Sequence, residues 1–145
     1  MNLQTRHDYG YGICVGEIRE HSVERLKKLL ELAPKTNAEV QSWFSRQMIA
    51  DPSWDDYMRY DEVYNLGLVT FLQLVIQEAE GIELTACDDF EGVPYLLYQP
   101  SYPWNIPDSE RNLTEDTLTA IFQRYVGILT DDAISVDHQS VESSG

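Results

Sequence analysis

The sequence predicts an α+β fold: a mostly antiparallel sheet of about four strands with helices packed on one side. Three observations predict it. Period-two alternation opens the chain at Tyr9–Val15 and returns near its end at Ile134–His138. Two short alternating runs flank an acidic turn in the middle. Between these strand signals lie stretches of helical period, several with their own caps. Strands at both ends and a hairpin between helices give the order β-α-α-α-β-β-α-β, expected to form one domain over residues 1–145.

In the first strand, Tyr9, Tyr11, Ile13 and Val15 share one face, and Gly10, Gly12 and Cys14 share the other. Two glycines on one face admit a close neighbouring backbone. They are not a phosphate loop, because the third glycine and the lysine of such loops are missing. Ser22 caps a helix near 22–33 carrying Val23, Leu26, Leu29, Leu30 and Ala33, and Pro34 stops it. Thr36–Glu39 has the form of a capping box and predicts a helix over 37–50. Ser53–Asp56 is a second box, opening a short helix. A helix over 62–80, apolar on nearly every side and so central, ends at Gly81. Ile82–Cys87 and Tyr95–Tyr98 read as a hairpin closed by Asp88–Gly92. Three prolines within Pro100–Pro107 make a stiff extended loop. Thr114, with a Leu113–Leu118 staple, opens a helix over 115–129. Residues 139–145 are expected to be a loose tail.

Charge is the informative property. The chain carries −15 at pH 7, unevenly: residues 51–145 hold nineteen acids against three bases, residues 1–50 six acids against seven. No Lys or Arg occurs between Arg59 and Arg111. Such a field repels nucleic acid and anionic membranes and attracts basic surfaces. It also serves simple solubility. No apolar run approaches a membrane span and no secretory signal opens the chain, which predicts a cytoplasmic protein.

No catalytic or metal-binding pattern emerges. His7, His21 and His138 lack ligand spacing, and no CxxC or HExxH occurs. Cys87 is followed by Asp88, Asp89 and Glu91, whose charge suppresses a thiolate. Asp88–Gly92 does not space its acids like a calcium loop. No cofactor, no metal and no catalytic residue is expected. Trp54, Tyr57, Tyr60, Tyr64, Tyr95, Tyr98, Tyr102 and Trp104 are interleaved with acids. Nucleic-acid readers interleave aromatics with bases instead, so these rings suit a protein interface or the core. The partner-binding residues predicted are Trp54, Asp55, Asp56, Asp61, Glu62, Asp88, Asp89, Glu91, Tyr102 and Trp104.

The stretch from Gly81-Ile82-Glu83-Leu84-Thr85-Ala86-Cys87-Asp88-Asp89-Phe90 through Pro100-Ser101-Tyr102-Pro103-Trp104 resembles a family of small acidic proteins of gut Firmicutes and their mobile elements. Leu113-Thr114-Glu115, Ile128-Leu129-Thr130-Asp131 and Gln139-Ser140-Val141-Glu142 carry the same resemblance. It brings no catalytic residues across. A mobile-element setting implies, by analogy, an anti-defence protein. The expected function is therefore non-enzymatic: an acidic protein that engages a basic protein partner, in one form an inhibitor mimicking nucleic acid. A small hydrolase using Cys87 or a carboxylate pair, and an adaptor acidic only for solubility, are the alternatives.

Overall fold

A computed structural model describes residues 5–62, 67–99 and 113–144. The first strand, β1 (Thr5–Cys14), is the longest strand and is paired on both edges. The helices that follow are α1 (Val23–Glu31), α2 (Pro34–Arg46), α3 (Trp54–Met58) and α4 (Leu68–Glu80). Then come β2 (Thr85–Asp88), β3 (Pro94–Tyr98), α5 (Glu115–Leu129) and β4 (Asp137–Ser144). The sheet order is β2-β3-β1-β4, antiparallel throughout. This is the α+β order the sequence predicts, and the short helix opened by the Ser53–Asp56 box is α3.

Period two divides the sheet into faces. Ile13 and Leu96 enter the main core with Leu26, Leu29, Leu30, Phe44, Phe71, Leu72 and Phe122, so the helices lie on that side. The opposite face carries a smaller cluster of Cys87, Leu97 and Val141. The glycines of β1 act as expected. A Cβ on Gly12 would lie 2.0 Å from the Leu96 carbonyl oxygen, and one on Gly10 would lie 2.8 Å from that of Tyr98. A ring cluster joins the helices: Phe44 meets Tyr57 at 4.9 Å and Tyr57 meets Phe71 at 5.9 Å, both edge-on.

Several boundaries differ from the sequence reading, each for a tertiary reason. Thr36 does not cap α2. The helix starts three residues earlier than predicted, with Pro34 at its first position. Its free amides are capped from α4: Glu78 accepts the Lys35 and Thr36 N–H groups at 3.0 and 2.7 Å and the Thr36 hydroxyl at 2.8 Å. α4 begins only at Leu68, after Gly67 at φ +77°; residues 63–66 lie outside the described set. β2 starts at Thr85 because α4 supplies the hydrogen bonds of the approach: Gln73 Nε2 donates to the Leu84 carbonyl and Leu84 N–H to Gln77 Oε1, both at 2.9 Å. The tail expected over 139–145 is instead strand through Ser144, zipped to β1 from Gly12↔Asp137 to Thr5↔Ser144. Its sequence is polar, and among its residues of described burial only Val141 is buried.

Candidate partner-binding site

Two groups of the predicted residues lie on described elements. The first is α3 and the turn after it. Ser53 caps α3 by accepting the Asp56 N–H at 3.2 Å, while Asp56 Oδ2 accepts the Ser53 N–H at 2.9 Å. Asp56 is thereby committed to the helix end. Trp54 is half-buried and stacks on His21, ring centroids 4.9 Å apart and planes within 8°. Asp55 and Glu62 are exposed, and Asp61 is half-buried at φ +47°.

The second group is the β2–β3 turn. Asp89 Oδ1 accepts the Glu91 and Val93 N–H groups at 2.9 and 3.0 Å, and Gly92 takes φ +80°. Asp89 Oδ1 thus scaffolds the turn. Asp88 and Glu91 are exposed on either side. Between them stands Phe90, 60% exposed. The sequence reading passed over Phe90. Its signal was an aromatic inside an Asp-Asp-x-Glu-Gly turn too short to bury a ring.

Among the described residues, no hydrogen bond, ion pair or ring contact joins the two groups. The remaining predictions, Tyr102 and Trp104, and the stiff Pro100–Pro107 loop, lie outside the described residues. Of the other interleaved aromatics, Tyr57 and Tyr60 are core residues.

The acids divide by what they meet. Glu80 bonds the Tyr125 hydroxyl at 2.6 Å, Asp131 pairs with Arg25 at 2.9 Å, and Glu115 meets His138 at 2.6 Å. Asp55, Asp61, Glu62, Asp88 and Glu91 have no Lys, Arg or His within ion-pair distance among the described residues. Of these, Asp55, Glu62, Asp88 and Glu91 are exposed.

The groups considered for catalysis are differently placed. Cys14 and Cys87 both sit opposite Tyr95, on the two outer strands of a three-strand run. That separates their Cα atoms by about 10 Å, beyond the roughly 7 Å a disulfide spans. Burial pushes the Cys87 thiol up to about 11, with Asp8 and Asp88 adding to the shift and Arg6 opposing it. This is the protonated, unreactive form. The three histidines engage other groups: His7 faces Glu142, His21 stacks on Trp54 and His138 bonds Glu115. Among the described residues no three His, Cys, Asp or Glu side chains converge to hold a metal ion, and no helix is long and apolar enough to cross a membrane. No protein-family model, curated protein or solved structure matches the chain.

Proposed function

We propose that this protein is a non-enzymatic binding module whose acidic surface docks on a basic protein partner, with the tip of the β2–β3 hairpin at its centre. The observation that carries the reading is Phe90: an exposed ring on a turn fixed by Asp89, rimmed by the unpaired acids Asp88 and Glu91. A rigid aromatic loses little entropy on binding, and anchors of this kind dominate interface energies. The rim acids act mainly on the rate of encounter and on rejection of acidic partners. Asp55, Asp61 and Glu62 extend the same field from the α3 side. A surface of this sign competes with nucleic-acid phosphate for the same lysines and arginines, so the reading extends to inhibition of a DNA-binding or defence protein.

The test compares variants for a partner retained from native-source extract at low salt and released by higher salt. Phe90→Ala raises the dissociation rate by on the order of tenfold or more. Asp88→Asn with Glu91→Gln slows association and flattens its salt dependence. Asp89 is left intact so that the turn survives. If both variants fold and bind like wild type, the interface lies elsewhere.

A further inference from the structure

A second surface lies between the sheet and the start of α5. On the helix-facing side of the sheet, Tyr98 of β3, Tyr11 of β1 and His138 of β4 stand in one row, because Tyr11 pairs with both Tyr98 and His138. Tyr9 shares the face two residues along β1 and is 63% exposed. The first turn of α5 forms the opposite wall with Leu113, Glu115 and Leu118. Together they border an open slot of about 380 Å³, and none of its described lining residues is Lys or Arg.

Its walls are set in advance. The Tyr11 hydroxyl lies 2.8 Å from the Thr119 hydroxyl and donates weakly to the Val136 carbonyl at 3.4 Å. The Tyr11 ring meets that of His138 edge-on at 5.0 Å. Glu115 Oε1 fixes His138 at 2.6 Å, and Glu115 Oε2 has no hydrogen bond among the described residues. Tyr9 lies parallel to His7, centroids 6.1 Å apart.

We infer that this slot binds the guanidinium of an arginine side chain from the partner protein. Tyrosine faces attract cations, and a planar guanidinium both stacks on a ring and bonds a carboxylate. The charge balance favours a cation over an anion. The start of α5 presents about half a positive charge, whereas Glu115 and Asp116 in that turn present two negative ones. This rests on the reading of the protein as a binder of basic surfaces, since it names a side chain of that partner.

The probe is N-acetyl-L-arginine amide, titrated into protein with isotope-labelled tyrosine rings, and its uncharged isostere N-acetyl-L-citrulline amide is the control. Arginine amide shifts the ring signals of Tyr9, Tyr11 and Tyr98 saturably, and citrulline amide does not. Tyr9→Leu, a change at an exposed site, weakens binding about 2- to 5-fold, the range of an exposed cation–π contact. Glu115→Gln weakens it further without loss of the folded spectrum. Equal shifts from citrulline amide, no saturable shift, or saturation at other rings overturns the inference. Binding of poly-L-lysine, followed in parallel, separates this from the broader reading. If the polymer binds in a salt-sensitive way but arginine amide misses the slot, only the slot is wrong. If arginine amide enters the slot but the polymer does not bind, the slot stands and the acidic-surface reading fails.

Discussion

Replacing Gly12 by alanine tests the closest contact in the sheet. The added Cβ would start 2.0 Å from the Leu96 carbonyl oxygen, against at least 3.4 Å for ordinary contact. The backbone of β3 would have to retreat by about 1.4 Å, disturbing Leu96 and Leu97, both fully buried. Overpacking of this kind costs roughly 1–3 kcal/mol, and a backbone obstacle belongs at the upper end. Gly127 is the internal control. It lies within α5, a Cβ there meets nothing within 4 Å, and alanine should stabilise by roughly 0.5–1 kcal/mol. The two variants should therefore differ by about 2–4 kcal/mol, which for a domain of this size separates their melting temperatures by about 4–16 °C. Urea and thermal unfolding followed by circular dichroism give both numbers. A Gly12→Ala protein as stable as wild type would refute the tight β1–β3 contact and the register drawn from it.

Three further outcomes follow from the ionisable groups. Desolvation opposes ionisation of Glu78, but the donors of Thr36 and Lys35 and the Lys35 charge outweigh it and lower its pKa. Its contribution is thus present above the unfolded carboxylate range and is lost as pH falls through the lower folded value; Glu78→Gln should show a shallower fall in melting temperature between pH 6 and 3, about the span of that titration. Burial, then the bond to Glu80, pushes the Tyr125 hydroxyl up to about 12, a contribution complete below about pH 10 and lost as pH rises toward 12, so Tyr125→Phe should lose stability at pH 8 and converge on wild type at the alkaline end. Cys87, 6% exposed and with its thiol near 11, should resist alkylation of the native protein at about pH 8 while half-buried Cys14 is modified; peptide mass mapping showing equal rates at both would contradict the burial described.

Local signals proved readable and distant ones did not. The caps at Ser22, Ser53 and Thr114 act within three residues of themselves, and all three form as the sequence implies. The hairpin is equally local, and its register follows from a short acidic turn. The Thr36 box fails because a carboxylate 42 residues away takes its place. The alternation at Ile134–His138 meets β4 only at Asp137 and His138; the rest of the strand is hidden because a polar run with one buried valine looks like a tail until β1 is beside it. The candidate site divides in the same way. Its acids are evident from composition, whereas the commitment of Asp56 and Asp89 to caps and turns, and the exposure of Phe90, depend on side-chain geometry. The tyrosine slot requires the registers of three strands at once.

Of the two inner strands, β1 is the one whose partners are made last. Among the described elements β1 precedes all others, yet β3 follows only after four helices, and β4 is the final one. At 5–20 residues per second, β1 waits on the order of ten seconds for its second edge to be filled. The helical middle, built on local contacts, has time to condense before then. Closure of the sheet is therefore the late event of folding. Slowing that step lengthens the life of an intermediate with an open strand edge, the species from which aggregation starts.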